Sequence, residues 1–323
     1  MLPVQTRLLL GIDTSYYTCS VALVDEDGRL LEDQRRLISV AEGERGVAPN
    51  EAVWAHLNAL PDLAEPVLRR HGRSVAAVAA SVKPRPVEGS YLPPFRVGEG
   101  FGRALASALG VPFYPTTHQE MHIQAGLWSA DTPPRGDRFL AVHLSGGTTE
   151  LIRVTRRPGG FAEELLGGTQ DLHAGQFVDR VGVALGLPFP AGPHLERLAA
   201  SGEPGRVRLP SAVRGYTVSF SGPESAAQRL VGQAAPADLA LAVLHAVART
   251  VEKWLLHAME ETGLREVLIV GGVAANQIVR ARLRHRLEHP AVGARLAFAQ
   301  PRFSTDNAVG TALLARACHG VSS

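Results

Sequence analysis

The chain has 323 residues, of which 45% are hydrophobic and 20% are charged, so it can form a sizeable core and is not wholly disordered. Its 33 basic and 31 acidic residues leave a net charge of +2, which gives no global electrostatic preference for nucleic acid. Two cysteines exclude a disulfide framework, residues 1–7 lack a signal-peptide layout, and no apolar run reaches the roughly 18 residues of a membrane span, so we expect a cytoplasmic protein.

The first 130 residues predict an α/β domain built on short apolar strands. Apolar runs predict five strands, over residues 7–13, 20–24, 29–35, 75–82 and 111–114. Helical periodicity predicts three helices, over residues 50–71, 98–109 and 118–129. The polar, proline-rich segment 131–137 marks the best domain boundary, which gives expected domains of residues 1–130 and 131–323.

The second part of the chain begins with a pattern like that of the first. A strand over residues 139–144, a turn of small residues and a strand over 150–155 repeat the opening order of strand, turn and strand, which indicates duplicated lobes. The remainder predicts mainly helices, with two further strands: 175–187, 194–201 and 236–263 are helical, and 266–270 and 295–299 are strands. A final helix follows and could pack back on the first lobe.

Three turns that contain glycine follow apolar strands. Glycine lets backbone N–H groups approach an anion closely, and neighbouring hydroxyls add donors, so these turns favour a phosphate or nucleotide site. Tight turns need glycine in any case, and that alternative stays open for each of them. The turns are Gly11–Ser15, Ser145–Thr149 and Gly271–Val273. Neither a Walker A motif nor a G-x-G-x-x-G pattern is present, which argues against P-loop and Rossmann sites.

His118 and His122 are four residues apart, which places both imidazoles on one face of a helix, where they could bind one metal ion. Chance spacing is the alternative, and a second such pair, His285 and His289, lies in an arginine-rich helix that would repel a cation. Gln119 stands where zinc peptidases carry their glutamate, so peptidase chemistry is not expected.

A third metal ligand should be an acid or a histidine, and Asp306 is available at the start of the last helix. Its segment, Ser304–Asn307, has the composition of an ordinary helix cap, which is the competing interpretation. Asp179 has a similar alternative, as a solvated helix residue that pairs with a neighbouring arginine.

In this order the motifs resemble the TsaD family, the tRNA threonylcarbamoyladenosine synthases once described as glycoprotease-like. The resemblance covers nearly the whole chain. It rests on the histidine pair, on Asp179 and on five segments: 145–147, 190–193, 219–222, 271–276 and 304–307. It implies an α/β fold of two duplicated actin-like, Hsp70-like and sugar-kinase-like ATPase lobes with a cleft between them.

The resemblance also implies a site and a reaction. His118, His122 and Asp306 would bind one divalent metal ion, iron or zinc, with no catalytic residue beyond the metal site. The threonylcarbamoyl-adenylate, or an ATP- or AMP-type nucleotide, would bind at Leu144, Ser145, Gly146, Gly147, Asp179, Gly192 and Asn276. The family transfers the threonylcarbamoyl group to the exocyclic amine of a tRNA adenosine beside the anticodon. tRNA and TsaB-like and TsaE-like proteins are therefore the expected partners, without a membrane.

Several positions in both lobes depart from the family pattern. Residues 16–19 lack its acidic pair, 83–86 replace its Gly-Pro-Gly, and Thr148, Gln176 and Glu224 replace its His, Glu and Lys. This pattern suits a divergent member or a paralogue that carbamoylates another acceptor. A non-catalytic partner subunit and a sugar kinase are the other hypotheses.

The near-neutral charge leaves only local surfaces for tRNA. The basic stretches are residues 69–73, Arg153 with 156–157, and 280–286. Solvated helix faces are the competing interpretation of all three.

Overall fold

The computed structural model describes residues 7–39 and 47–322, which form two compact units. One unit comprises Met1–Trp128, Arg156–Ala162 and Asp306–Ser323, and the other comprises Ser129–Thr155 and Glu163–Thr305. The expectation about a signal peptide rests mainly on residues 1–6, which lie outside the described residues. Within the described ranges, no helix combines the length and the apolarity needed to cross a membrane.

The first unit is built on a five-stranded sheet in the order β3-β2-β1-β4-β5. Its strands are β1 (Leu8–Thr14), β2 (Thr18–Asp25), β3 (Leu30–Leu37), β4 (Val75–Lys83) and β5 (Phe113–Thr117). Its first helices are α1 (Pro49–His71), α2 (Phe95–Leu109) and α3 (His118–Ser129), with a 3₁₀ turn at Gly72–Ser74. β1 pairs antiparallel with β2 and parallel with β4, and β4 pairs parallel with β5. The carboxyl ends of β1, β4 and β5 therefore meet at one edge of this sheet.

The second unit contains a seven-stranded sheet in the order β12-β11-β6-β7-β8-β10-β9. Its strands are β6 (Arg138–Leu144), β7 (Thr149–Arg157), β8 (Gly160–Thr169), β9 (Ala212–Arg214), β10 (Thr217–Ser219), β11 (Glu266–Val270) and β12 (Arg295–Phe298). Its helices are α4 (Ala174–Ala184), α5 (Gly192–Ala199), α6 (Ser221–Leu230), α7 (Pro236–Thr262), α8 (Gln277–Leu287) and α9 (Pro301–Ser304), with a 3₁₀ turn at Val273–Ala275. The core of this unit packs around the buried face of α7, which includes Trp254.

The two sheets repeat one arrangement. β6 pairs antiparallel with β7 and parallel with β11, as β1 does with β2 and β4. The order β8-β7-β6-β11-β12 matches β3-β2-β1-β4-β5 strand for strand. The α/β class and the duplication expected from the sequence are therefore confirmed.

The last helix, α10 (Val309–Ser322), packs against β1, β2 and β4 of the first unit. Its Thr311 hydroxyl lies 3.3 Å from the hydroxyl of Ser81 on β4, and both side chains are buried. Ala312, Leu313 and Leu314 are also buried. The apolar sequence of this helix is thus accounted for by burial against the sheet.

Candidate functional site

The side chains of His118, His122 and Asp306 converge in the first unit. β5 ends directly at His118, which begins α3, and His122 follows one helical turn later. The two Nε2 atoms lie 3.2 Å apart. Asp306 Oδ1 lies 3.6 Å from Nε2 of His118 and 3.3 Å from Nε2 of His122. The structure thus brings together all three of the predicted metal ligands.

This donor set fits a divalent transition metal. Metal–nitrogen bonds of about 2.0–2.1 Å in a tetrahedron separate the ligand atoms by about 3.3 Å, close to the three observed distances. Two imidazoles and a carboxylate leave at least one coordination position open, as catalytic sites require. Among the described residues, this is the only group of three or more His, Cys, Asp or Glu side chains arranged to hold a metal ion.

Two residues at the end of β1 hold these ligands in place. Asp13 is fully buried, and its Oδ1 lies 3.0 Å from Nδ1 of His118. Ser15 donates a hydrogen bond of 2.6 Å from its hydroxyl to Oδ2 of Asp306. An imidazole whose Nδ1–H is held by a carboxylate presents the lone pair of Nε2 to a metal. These contacts place the Gly11–Ser15 turn directly beside the three predicted metal ligands.

The carboxylates of Asp13 and Asp306 favour the protonated form of His118. Burial lowers the pKa of His118, but Asp13 and Asp306 outweigh it and raise the pKa to about 10. Burial and the charge of His118 lower the pKa of His122. Burial raises the pKa of Asp306, but its contacts with the two histidines hold it well below its usual range. A bound cation would take over the role of this proton.

Replacing Asp13 with asparagine is expected to weaken metal binding about 10- to 100-fold, because outer-sphere carboxylates orient the imidazole and raise its basicity. The measurement is chelator competition with the purified protein. Asp25→Asn is the matched control, since Asp25 is a buried acid of the same sheet that accepts hydrogen bonds from the backbone of Asp27 and Arg29. Equal affinities for the two variants would contradict the assignment of Asp13.

In the second unit, the turn between β6 and β7 lies against the start of α4. Ser145 N donates to the carbonyl of Thr148 at 2.8 Å, and Gly146 and Gly147 are exposed. Gly175, the second residue of α4, donates to the carbonyl of Ser145 at 3.1 Å. A Cβ at Gly175 would lie 2.6 Å from Gly146 N, so only glycine permits this approach. The exposed turn and the positive end of a helix are thus side by side.

Asp179 lies on α4 and holds the start of α5. Its Oδ1 accepts a hydrogen bond of 2.7 Å from Ala191 N, and the backbone of Gly192 also donates to the carboxylate. Burial raises the pKa of Asp179, against the effect of these two donors. The alternative of a solvated acid paired with a neighbouring arginine is wrong, because the carboxylate binds backbone N–H groups instead.

Asn276 and the residues around it connect the start of α8 to α5 and to the end of β6. Asn276 caps α8, its Oδ1 accepting from Val279 N at 3.0 Å, and Gln277 N donates to Glu196 of α5 at 2.7 Å. Gly271 has a φ of +100°, and a Cβ there would lie 2.2 Å from the carbonyl oxygen of Leu144. The Leu144 side chain is buried in the core, so only its backbone is available to a ligand.

The segment Ser219–Gly222, one of the motifs behind the resemblance, is held by Asp171. The carboxylate of Asp171 accepts hydrogen bonds from the hydroxyls of Ser219 and Ser221 and from Phe220 N. Although partial burial raises the pKa of Asp171, these hydrogen bonds hold it well below its usual range. No local pattern distinguishes Asp171, because its partners lie about 50 residues along the chain.

Asp171→Ala is expected to lower the free energy of unfolding by about 1 kcal/mol at neutral pH. The folded-state pKa of Asp171 is depressed, so this stabilisation is present above about pH 4 and is lost as the pH falls below it. Denaturant unfolding of both proteins between neutral and acidic pH measures the effect. Asp131→Ala, an exposed change in the same unit, serves as the control. A pH-independent difference would contradict the prediction.

Comparisons with known proteins identify a family. The model of the family TsaD, tRNA N6-adenosine threonylcarbamoyltransferase, matches residues 32–313. A protein of that name from Prochlorococcus marinus (strain MIT 9303) is 38% identical over 296 residues, 85% of this chain and 80% of the relative. Another, from Polaromonas sp. (strain JS666 / ATCC BAA-500), is 35% identical over 324 residues, 95% of this chain and 90% of the relative.

Solved structures of more distant proteins share the fold. HypF from T. kodakarensis aligns with a TM-score of 0.64 at 14% identity, covering 98% of this chain and 48% of that one. A ROK family glucokinase from Streptomyces griseus aligns with a TM-score of 0.54 at 16% identity, covering 96% and 99%. These likenesses confirm the actin-like and sugar-kinase-like fold class. The family model and the curated relatives show that this chain belongs to the TsaD family of tRNA N6-adenosine threonylcarbamoyltransferases.

Proposed function

We propose that this protein is a metal-dependent acyltransferase that moves a threonylcarbamoyl group from its adenylate to the N6 amine of a tRNA adenosine beside the anticodon. The observation that carries the proposal is the convergence of His118, His122 and Asp306 in a chain of this family. A non-catalytic subunit would not need three supported metal ligands. A reaction on tRNA places the protein in the cytoplasm, where TsaB-like and TsaE-like proteins would be its partners.

In this proposal the residues of the second unit bind the adenylate. The exposed turn at Gly146 and Gly147 and the positive end of α4 would receive its phosphate, and the Gly147 N–H would exchange its 3.3 Å hydrogen bond to Ser145 Oγ for a phosphate oxygen. The Asp179 carboxylate accepts backbone hydrogen bonds from Ala191 and Gly192 and would use a remaining lone pair to accept one from a ribose hydroxyl. Gly192 begins α5 and Asn276 caps α8, and the contacts of Asp179 and Glu196 connect these helix starts to α4 and to each other.

The residues of the first unit would hold the metal ion. His118, His122 and Asp306 supply its protein ligands, while Asp13 and Ser15 orient two of them. A divalent ion bound there supplies Lewis acidity, which polarises a carbonyl group. Asp13 would hold the Nδ1 proton of His118, so that the lone pair of Nε2 would be available to the ion.

Some residues near the metal ligands differ from the family pattern, so a different acceptor is an alternative. Tyr16 and Tyr17 follow Ser15 where the family has an acidic pair, and the Tyr16 hydroxyl donates to the carbonyl of Val47 at 2.7 Å. In the segment that replaces Gly-Pro-Gly, Pro84 accepts a hydrogen bond from Gln119 N at 3.0 Å, directly beside His118. A divergent paralogue that carbamoylates another acceptor is therefore the alternative function.

The test is a reconstituted reaction with threonine, bicarbonate, ATP, tRNA and the partner proteins, analysed by mass spectrometry of the nucleosides. We expect threonylcarbamoyladenosine to form. No modified nucleoside, in a reaction where an authentic family member gives product, would reject tRNA modification and favour the alternative acceptor.

A further inference from the structure

The three basic stretches of the sequence differ in what their arginines bind. In the first, Arg69 pairs with Glu65 and Arg70 with Glu32, each on its own carboxylate. In the second, Arg153 pairs with Glu164. Each of these three arginines is neutralised by an acid. The third stretch, on α8, is different.

The arginines of α8 divide between two faces. Arg280 donates to the carbonyls of Ala274 and Ala299, and Arg284 pairs with Glu288; both guanidinium groups lie over the ring of Phe298, at 5.1 and 5.0 Å. Arg280 and Arg284 therefore bind and pack against residues of their own unit. Arg282 and Arg286 instead face α7.

On the α7 side, positive charge exceeds negative charge. Arg282 and Arg286 share the carboxylate of Glu252, at 3.2 and 2.9 Å. Arg249, one helical turn before Glu252 on α7, donates to the carbonyl of Leu209 at 2.7 Å, and its nearby charges include Arg208. Arg282 and Arg286 therefore share one carboxylate, while Arg249 and Arg208 add two more guanidinium groups nearby. We call Arg208, Arg249, Arg282 and Arg286 the basic seam.

The basic seam contains a hydrogen-bond donor that no described residue satisfies. The Nε–H of Arg282 is buried and has no hydrogen-bond partner among the described residues. The side chain of Arg286 is 56% exposed, and that of Glu252 is 9% exposed, so the arginines shield the acid that pairs with them. Burial and then the charge of Arg282 lower the pKa values of both Arg249 and His245. An anion would relieve this repulsion.

We infer that the basic seam binds the phosphate backbone of RNA, and specifically of the tRNA that the proposed function requires. Guanidinium groups on two packed helices form a fixed array of planar donors that matches phosphate oxygens. Phosphate contacts of this kind position an RNA without reading its sequence. This inference rests on the proposed function for the identity of the RNA.

The test measures the affinity of the full chain for a tRNA transcript between about 50 and 200 mM salt, without threonine or ATP. Arg249→Gln with Arg282→Gln is expected to reduce the slope of log affinity against log salt by about 2, one for each lost phosphate contact. Arg229→Gln with Arg295→Gln removes the same charge from exposed positions elsewhere in this unit and should leave the slope unchanged. Equal slopes for the seam variant and the wild type would overturn the inference.

Two further arms separate charge from structure and RNA from small anions. Lysine at positions 249 and 282 keeps the positive charge, so this variant should retain the wild-type slope. A loss of slope as large as with glutamine would indicate a structural role and overturn the inference. Seam-dependent binding of inorganic phosphate, with tRNA binding unchanged in the variant, would also overturn the inference. tRNA binding through the seam without any modified nucleoside would reject the proposed function alone.

Discussion

His118→Ala is expected to lose its metal ion and its transfer activity together. The wild type should purify or reconstitute with about one iron or zinc per chain, and the variant with almost none, because two remaining ligands hold a divalent ion weakly. Loss of Lewis acidity at the reacting carbonyl should slow transfer about 1,000-fold, equivalent to roughly 4 kcal/mol of transition-state stabilisation. Elemental analysis and single-turnover transfer assays measure the two effects.

The control for this change is His285→Ala. His285 is exposed on α8 in the other unit and belongs to the second histidine pair of the sequence, so it has the same residue chemistry without the convergent acid. Its loss should leave metal content and activity unchanged. A metal content in His118→Ala equal to that of the control would contradict the assignment of the site.

Gly175→Ala has the second large expected effect, on the nucleotide. The new methyl group would lie 2.6 Å from Gly146 N and 2.7 Å from Gly146 Cα, both of which are backbone atoms that must move. The exposed turn would be pushed away from the start of α4, and the N–H groups meant for the phosphate would no longer converge. We expect the affinity for AMP to fall at least about tenfold, equivalent to about 1.4 kcal/mol, and the fold to lose about 1–3 kcal/mol from overpacking.

Gly222→Ala is a matched control for this variant. Gly222 is likewise the second residue of its helix, α6, but a Cβ there would meet nothing within 4 Å. Calorimetric titration with AMP compares the two proteins, and thermal unfolding shows how much of each population is folded. An unchanged affinity in folded Gly175→Ala protein would show that the turn does not bind the phosphate.

Much of the fold was predictable because its central strands are nearly continuous apolar runs. β1 and β6 are such runs, and the strand–turn–strand pattern around them indicated the duplication that the sheets show. β8 was missed, since its ten residues, including Gly160, Gly167 and Gly168, are half-buried or exposed and lack regular alternation. α6 was missed because Gly222 and Pro223 lie in its first turn, where they resemble a loop.

The metal site was predictable only in part. The spacing of His118 and His122 indicates a shared helix face, but Asp306 entered through the family resemblance, since nothing local distinguishes it from a helix cap. The supporting contacts could not be found from local patterns: Asp13 is 105 residues from His118, and Ser15 is 291 residues from Asp306. The parallel pairing of β1, β4 and β5 brings the ends of β1 and β5 to one edge, and that pairing is a property of the fold.

Metal-dependent transfer from a preformed intermediate tests the central claim most directly. Threonylcarbamoyl-adenylate labelled in the threonine is mixed with tRNA, the partner proteins and this protein, either stripped of metal or reloaded with iron or zinc. The account predicts labelled threonylcarbamoyladenosine with the reloaded protein and almost none with the stripped protein. Equal yields from both, or labelled tRNA from His118→Ala at the wild-type rate, would contradict it.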